Sequence, residues 1–405
     1  MNTPTLRFKE FSGEWKVKKL GAETTWSSGG TPSKQEESYW DGDIPWISAS
    51  SMRGFKYFDS DLKITNAGLS NGSRLAAKGS LLLLVRGSML FNKIPVGIAT
   101  KDVAFNQDVK SIKTKPSINN EFLLYWFLAS ENKLLNMVSG TGIGAGKLDT
   151  QDLLAMDLSI PTLPEQTKIA NFLTAIDEKI AQLSQTAQLL TDYKKGVMQQ
   201  IFSQQLRFKD DDGREFAEWD FIELEKVAFK VNAKNKDCSI TNVLTNSATQ
   251  GIVNQADYFD RDIANQNNLG GYYVVEIDDF VYNPRISNHA LVGSLKRNNL
   301  VKGVMSPLYT VFRFKNGSLP FFEQYFETTH WHDYMKSVAN SGARHDRLNI
   351  TNDDFLNLPV PFPSLPEQTK IANFLTAIDD KINNNQTQRD AMKQYKAGLL
   401  QQMFV

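Results

Sequence analysis

LPEQTKIANFLTAID occurs twice in this sequence, at Leu163–Asp177 and again, letter for letter, at Leu365–Asp379. Internal self-similarity is the first feature to look for, because it defines the repeating unit of a fold. The opening of the chain also recurs: LRFKEFSGEW at Leu6–Trp15 resembles LRFKDDDGREFAEW at Leu206–Trp219. The sequence therefore consists of two half-chains, each a variable body followed by a constant segment.

The constant segment is predicted to be a helix with a defined start. Thr162 with Glu165, and Ser364 with Glu367, have the spacing of a capping box, in which hydroxyl and carboxylate satisfy backbone N–H groups reciprocally. The proline of each copy then falls in the first turn, where no intrahelical hydrogen bond is lost. From Glu165 to Phe202 such a helix is roughly 57 Å long at about 1.5 Å per residue.

An apolar stripe runs along each predicted helix. Its steps alternate between four and three residues, which is the a/d seam of a coiled coil. In the first copy, with Lys194 as a skipped position, the seam consists of Ile169, Leu173, Ile176, Ile180, Leu183, Ala187, Leu190, Val197 and Ile201. The second copy begins with Ile371, Leu375, Ile378 and Ile382, and then places Asn385 and Arg389 on the seam. These two polar residues either fix the register or mark a solvent-exposed end. In a two-fold-like repeat the stripes would pack against each other antiparallel.

The variable bodies combine short β-rich runs, turns such as GGTPS and NGS, and aromatic patches. The predicted fold class is α+β: two globular mixed α/β domains separated by two long helices packed as an antiparallel coiled coil, with a pseudo-two-fold internal repeat. The predicted boundaries are 1–160 for the first body, 161–205 for its helix, 206–362 for the second body and 363–405 for its helix.

Composition excludes several classes of protein. The chain has 405 residues, 41% hydrophobic and 22% charged, which is typical of a multidomain globular protein. No apolar run approaches the roughly 20 residues that span a bilayer, and the N-terminus lacks a signal-peptide core, so we expect the cytoplasm. A single cysteine, Cys238, excludes a disulfide framework. The net charge of +0 is unusual for a DNA-binding protein that acts alone.

No catalytic or metal site emerges from the motifs. GIGAGKL at Gly142–Leu148 departs from the phosphate-loop pattern at two positions and is better explained as a flexible loop. NPRI at Asn283–Ile286 lacks the second proline and the aromatic residue of amino-methylating enzymes. His330 and His332, with His289 or His345 as a third ligand, have weak metal-site spacing, so we predict no metal.

Groups that can read base edges or hold phosphates are scattered over turns in both bodies. Arginine pairs with guanine and asparagine with adenine, whereas lysine and serine commonly hold phosphates. The candidates for DNA binding are Ser33, Lys34, Ser50, Ser51, Arg53, Arg86, Asn92 and Lys93 in the first body, and Arg285, Asn288, His289, Arg344, His345 and Arg347 in the second.

A variable body, then P-x-L-P-E-Q-x-x-I-A-x-F-L and a long helix, then the whole again, resembles the specificity subunit of type I restriction-modification enzymes. GGTPS with YWDGDIPWIS in the first body, and IDDFVYNP, SPLY and DFLNLPVP in the second, also resemble that family's recognition domain. The resemblance covers essentially the whole chain. The second body has no counterpart of GGTPS or YWDGDIPWIS.

The resemblance implies a division of labour in a bacterial complex. Each body would be a target recognition domain that reads one half of a bipartite, asymmetric site in double-stranded DNA. The helices would set the gap and dock two methyltransferase subunits, which would bring S-adenosylmethionine, and motor-nuclease subunits would bring ATP- and Mg-dependent cleavage. The residues expected in the spacer and its docking surface are Glu165, Gln166, Ile169, Phe172, Leu173, Ile176, Glu367, Gln368, Ile371, Phe374, Leu375 and Ile378.

Two other classes of function stay open at this point. A duplicated enzyme would use the helices only to hold two active sites together. A protein-binding scaffold would use the two bodies on peptides. Methyl transfer by the chain alone would favour the first of these, and failure of the assembled complex to select any DNA sequence would favour the second.

Overall fold

A computed structural model describes residues 3–142, 144–258, 266–340 and 346–405. The chain divides into two compact units: the first contains 1–185 and 386–405, and the second contains 186–385. None of the described helices is long and apolar enough to cross a membrane. Each unit takes one variable body, the beginning of one long helix and the end of the other.

The first unit is a mixed α/β body followed by the start of the first long helix. Its strands are β1 (Lys16–Lys19), β2 (Thr24–Ser28), β3 (Trp40–Ile47), β4 (Lys56–Tyr57), β5 (Lys63–Ile64), β6 (Arg74–Ala76), β7 (Leu81–Leu84), β8 (Arg86–Gly87), β9 (Val96–Ala99), β10 (Val103–Phe105), β11 (Val109–Thr114), β12 (Ser139–Gly140), β13 (Gly146–Lys147) and β14 (Asp157–Ile160). Its helices are α1 (Leu20–Glu23), α2 (Asn66–Gly72), α3 (Asn120–Ala129), α4 (Glu131–Asn136), α5 (Thr150–Leu154) and α6 (Leu163–Phe202), the last of which continues into the second unit.

The second unit repeats this plan with fewer strands. Its strands are β15 (Asp220–Glu223), β16 (Ala228–Lys230), β17 (Leu244–Ser247), β18 (Gly251–Asn254), β19 (Tyr273–Val275), β20 (Phe280–Asn283), β21 (Ser294–Arg297), β22 (Gly303–Met305), β23 (Thr310–Phe314) and β24 (Pro359–Phe362). Its helices are α7 (Leu224–Val227), α8 (Gln255–Tyr258), α9 (Leu319–Phe326), α10 (His332–Val338), α11 (Asn352–Leu356) and α12 (Leu365–Met403), the last of which ends in the first unit.

The two bodies share one sheet order. In the first it is β2-β11-β7-β9-β4, and in the second β16-β23-β20-β21, so the same four strands recur and β4 is an addition at one edge. Each body also pairs its first strand with its last, β1 with β14 and β15 with β24. YWDGDIPWIS forms β3 in a sheet of order β5-β3-β10-β6. In the second body β22 pairs with β19 as β10 pairs with β6, and a single parallel bridge from Val304 to Val243 takes the place of the pairing of β10 with β3. The bodies therefore have a common frame and different additions.

Buried apolar strands hold each body together. Leu81–Leu84 is buried along its whole length, which explains a continuous leucine run in place of an alternating pattern. In the second body Phe280 and Phe314 lie at the centre of an aromatic cluster, with ring centroids 5.0 Å apart. Complete burial of such a side chain stabilises the fold by about 1.5–3 kcal/mol.

The two long helices pack antiparallel within each unit, as the apolar seam and the two-fold-like repeat together predict. In the first unit, the beginning of α6 and the end of α12 share a core with α3 that contains Phe122, Tyr125, Ile169, Leu173, Ile176, Leu399 and Met403. In the second unit, the end of α6 and the beginning of α12 contribute Val197, Ile201, Ile371, Leu375, Ile378 and Ile382 to the main core. The seam residues therefore pack against the body of each unit as well as against the partner helix.

A lysine occupies the same seam position in both helices and pairs with an aspartate of the other helix. Lys396 Nζ lies 2.7 Å from Asp177 Oδ1 in the first unit, and Lys194 Nζ lies 2.6 Å from Asp379 Oδ2 in the second. Lys194, predicted to be a skipped position, is therefore part of the helix pairing. Asn385 donates to Lys381 O and Arg389 donates to Asp390, so both use hydrogen bonds within their own helix.

The predicted capping boxes are wrong. Glu165 is 1% exposed and Glu367 is 0% exposed, and each carboxylate accepts from an arginine in the stretch LRFK. Arg7 Nε and Nη2 donate to Glu165 Oε1 and Oε2 at 2.7 and 2.8 Å, and Arg207 Nη2 lies 3.4 Å from both oxygens of Glu367. Each glutamate binds an arginine that is far away in the sequence, and not the backbone N–H of its own helix start, because a buried carboxylate requires a compensating charge.

The glutamine of each PEQ motif joins the long helix to its body. Gln166 Oε1 accepts from Asn119 N at 2.9 Å, and its Nε2 donates to Ser117 O and Pro161 O. Gln368 Oε1 accepts from Ser318 N at 2.8 Å, and its Nε2 donates to Pro363 O. The PEQ motif is therefore an internal connector between the helix and the body.

This burial corrects the predicted docking surface. Ten of the twelve side chains lie in the chain's own interior and offer no surface to a partner: Glu165, Gln166, Ile169, Leu173, Ile176, Glu367, Gln368, Ile371, Leu375 and Ile378. The other two, Phe172 and Phe374, are half-buried against the rings of Phe8 and Phe208. Any subunit that contacts this stretch has to use the exposed face of the helix.

Candidate nucleic-acid interface

In the first unit a short antiparallel ladder follows the buried strand β7. Arg86 of β8 lies opposite Lys147 of β13, and Leu148 N donates to Val85 O at 2.9 Å. Gly146 is required here, because an added Cβ would lie 2.8 Å from Val138 Cγ1. Arg86 is exposed, whereas Lys147 Nζ lies 3.4 Å from Asp149 Oδ2. That lysine and the backbone N–H of Gln151 lower the pKa of Asp149, with the backbone contact the larger cause.

The same ladder recurs in the second unit after β20. Arg285 bridges to Arg347, Leu348 N donates to Pro284 O at 3.0 Å, and Ile286 N donates to Asp346 O at 2.9 Å. Arg285 is exposed, and its backbone N–H donates to Asn283 Oδ1. Arg347 is half-buried, with its Nε 3.7 Å from Asp346 Oδ2 and without a hydrogen-bond partner. Each unit thus presents two cations across one ladder.

The connection between β7 and β9, which contains β8, carries three of the predicted DNA-binding residues. Arg86, Asn92 and Lys93 are exposed and lie on the single connection between β7 and β9. Asn92 N donates to Met89 O, which closes the turn, and Ile94 N donates to Glu131 Oε1 and attaches the loop to α4. The structure therefore brings these three residues together on an anchored loop.

The loop after β20 carries three more of the predicted DNA-binding residues, Arg285, Asn288 and His289. Ser287 N donates to Ala290 O and Ala290 N donates to Ser287 O, which makes a tight turn with Asn288 and His289 at its tip. Both tip residues are exposed, as is Arg285 on the same loop. Arg344 and His345 lie outside the described residues.

The GGTPS stretch forms an anchored turn in the first unit. The two glycines are required because an added Cβ on Gly29 would lie 2.0 Å from Phe105 O, and one on Gly30 would lie 2.3 Å from Gly72 O. Trp40 Nε1 donates to Ser33 O, so the turn that carries Ser33 and Lys34 is fixed at its base. Ser33 and Lys34 are exposed.

Ser50, Ser51 and Arg53 lie in a different setting. Ser51 Oγ accepts from Ser48 N and donates to Ser48 O, so this hydroxyl closes its own turn. Arg53 lines a cleft of 620 Å³ beside α3 and α6, together with Tyr125 and Asp177. The structure therefore places Arg53 next to the long helix and not on the loop that carries Arg86.

Neutral hydrogen-bonding groups surround the basic pair of the second unit. A pocket of 290 Å³ is lined by Thr245, Asn246, Ser247, Tyr258, Asn283, Arg285, Ser287, Ser294, Leu308, Tyr309 and Arg347. Thr245 Oγ1 and Tyr309 OH are 3.0 Å apart. Hydroxyls and amides of this kind match the donors and acceptors on base edges.

Sequence reasoning missed Lys147 and the hydroxyl wall of this pocket. An alignment of GKLDT with DRLNIT would have matched Lys147 with Arg347, which was a predicted DNA-binding residue. The hydroxyls give no sequence signal, because they come from strands far apart in the chain.

Burial lowers the pKa of both His330 and His332. Within the described ranges, no three His, Cys, Asp or Glu side chains converge as a metal site would require.

Comparison with known proteins connects this frame to one family. The family model for the type I restriction modification DNA specificity domain matches residues 12–191 and 217–394. The specificity subunit of the type I restriction enzyme EcoR124I/EcoR124II of Escherichia coli is 30% identical over 174 residues, 42% of this chain and 43% of that subunit. The chain thus spans less than half of that relative. The MjaVIII specificity subunit of Methanocaldococcus jannaschii is 23% identical over 97% of this chain and 94% of the relative.

Solved structures agree at the level of fold. The S subunit of a type I restriction-modification system from M. genitalium matches with a TM-score of 0.60 at 14% identity, covering 100% of this chain and 99% of that one. A chain from a structural study of type I R-M complex assembly matches with a TM-score of 0.53 at 14% identity, covering 96% and 97%. With the family model matched in both halves, this chain belongs to the type I restriction modification DNA specificity family.

Proposed function

We propose that this chain is the non-catalytic DNA-recognition subunit of a type I restriction-modification complex in the bacterial cytoplasm. Each body reads one half of a bipartite, asymmetric site in double-stranded DNA. The observation that carries the proposal is the repeated ladder, which presents Arg86 with Lys147 in one body and Arg285 with Arg347 in the other. A shared frame with different loop residues fits one task performed on two different sequences.

The helices supply the second part of the proposal. The paired α6 and α12 set the length of DNA between the half-sites and dock two methyltransferase subunits through their exposed faces. Those subunits bring S-adenosylmethionine, and motor-nuclease subunits bring ATP and Mg. A chain with 45 basic and 45 acidic residues suits this arrangement, because partner subunits then contribute much of the phosphate contact.

Footprinting tests the recognition role. The complex of this chain with its methyltransferase subunits should protect two separated half-sites with an unread gap, and mapping of methylated adenines should give the same bipartite sequence. A single continuous site would contradict the proposal. The purified chain should transfer no methyl group from labelled S-adenosylmethionine, and transfer would favour the duplicated-enzyme alternative. Failure of the complex to select any sequence would favour a protein-binding scaffold.

Lengthening both helices tests the spacer role separately. Seven residues are inserted after Leu183 and seven after Asn385, the equivalent position of the other repeat, so that the antiparallel pairing is kept. Two added turns are about 10 Å, or roughly three base pairs. The gap should grow by this amount while both half-sites stay the same. An unchanged gap would reject the spacer role and leave DNA recognition intact.

A further inference from the structure

Arg86 and Arg285 occupy the same place on the shared frame. Each lies two residues after the end of a buried inner strand of its sheet, β7 or β20. Each lies on a short ladder whose next backbone hydrogen bond is equivalent in the two units: Leu148 N to Val85 O, and Leu348 N to Pro284 O. The Cα of both arginines is therefore fixed by the core of its body.

The two cations of each ladder differ in their electrostatic partners. Lys147 lies 3.4 Å from the Asp149 carboxylate, and Arg347 lies 3.7 Å from that of Asp346. Over the described part of the chain, neither Arg86 nor Arg285 forms an ion pair or a side-chain hydrogen bond with another residue. Both are exposed. In each unit, one cation lies within ion-pair distance of a neighbouring carboxylate, and the other has its full donor set available.

An available guanidinium on a fixed backbone suits base recognition better than phosphate binding. Phosphate contacts tolerate a flexible tether, whereas a bidentate contact to guanine O6 and N7 requires a defined origin and direction. In the second unit, the neutral pocket beside Arg285 adds groups that match base edges. The cations that lie beside carboxylates, Lys147 and Arg347, suit phosphate contact and the positioning of the loop.

We propose, on the basis of the DNA-recognition function above, that Arg86 and Arg285 are equivalent base-reading residues. Each specifies one guanine in the half-site that its own body recognises. The two half-sites therefore share one feature, a guanine at the position that faces the ladder, even though the loops around the two ladders differ.

The test uses the complete complex with its methyltransferase subunits and DNA selection from a random library. Arg86→Lys and Arg285→Lys keep the charge but lose the planar fork. Each should reduce preference for guanine at one position by about 5- to 150-fold. Arg86→Lys should change only the half-site of the first body, and Arg285→Lys only that of the second. The controls, Lys101→Gln and Lys236→Gln, change exposed lysines that lie outside the two ladders and their loops.

The outcomes separate the inference from the proposed function. A wild-type complex that selects no bipartite site rejects the proposed function itself. A wild-type bipartite site that stays unchanged in both arginine variants overturns the inference alone, and so does a uniform loss of affinity at every sequence, which would mark a phosphate contact. Arg285→Gln is a second variant, and it should shift the preference from guanine toward adenine. Unchanged thermal unfolding of each variant excludes misfolding as the cause.

Discussion

The junction between body and helix can be compared directly in the two units. In each, an aspartate of one long helix binds a lysine of the other and accepts a hydrogen bond from the body. The first body supplies Tyr125 OH to Asp177 at 2.9 Å, and the second supplies Gln324 Nε2 to Asp379 at 2.8 Å. Burial raises the pKa of Tyr125, so its hydroxyl keeps the proton that it donates. The constant helix therefore requires a donor and not a particular residue, which lets the bodies diverge.

The buried glutamates should show the largest difference between the units. Arg7→Ala leaves Glu165 buried without its closest charge, and we expect a loss of about 3–5 kcal/mol in the free energy of unfolding. Arg207→Ala should cost less, because Arg207 Nη2 lies 3.4 Å from both oxygens of Glu367, whereas the contacts of Arg7 with Glu165 are 2.7 and 2.8 Å long. Denaturant unfolding with hydrogen exchange assigned to each unit measures both effects. A larger loss for Arg207→Ala would contradict this order.

The helix-pairing lysines should show the next largest effect. Lys396 is 7% exposed, so Lys396→Met leaves the Asp177 carboxylate with only Tyr125, at a cost of about 2–4 kcal/mol. The double variant Lys396→Met with Asp177→Leu should recover part of that loss. Lys194→Met in the second unit is the matched comparison. A double-mutant cycle by thermal unfolding checks the coupling, and additive losses would show that the pair is not coupled.

The PEQ glutamines should give a smaller and ordered effect. Gln166→Ala removes three hydrogen bonds between helix and body, and Gln368→Ala removes two. Each buried group that loses its partner costs about 1–3 kcal/mol, so the first substitution should be the more destabilising. Equal losses would mean that the number of bonds does not determine the strength of this connection. Gln200→Ala, an exposed site near the end of α6, is the control.

The smallest predicted effect concerns pH and only the second unit. Burial first, and Lys336 second, lower the pKa of His332 in the folded state. The unfolded state therefore takes up the proton first, and stability falls as the pH drops through the ordinary histidine value of about 6.5. His332→Gln should flatten this part of the stability profile measured between pH 7.5 and pH 5.5, in steps of about half a unit. An identical profile in the variant would contradict the prediction.

How much the sequence predicted depended on whether the signal was local. The apolar seams of the two copies predicted two long helices that pair, because an apolar period near 3.5 residues is typical of helices that pair along one face. The two-fold-like repeat predicted that the pairing is antiparallel. The capping box predicted at Glu165 was wrong, since the spacing of Glu165 from Thr162 fits the capping-box pattern while its actual partner is Arg7. Lys147 was missed because its importance comes from strand pairing across the ladder. The DNA contacts of the predicted loop residues stay predictions.

The composition of the units has a consequence for biosynthesis. The second unit is one continuous stretch, 186–385, whereas the first needs 386–405 to complete the core beside α3. During translation, the body that is made first is therefore the last to receive all of its helices. Until 386–405 has been made, Tyr125 and Phe122 lack the packing contacts that Leu399 and Met403 later provide. Domains tend to fold in the order of their synthesis. Here we expect the later unit to finish first, because the earlier one is complete only after 386–405 has been made.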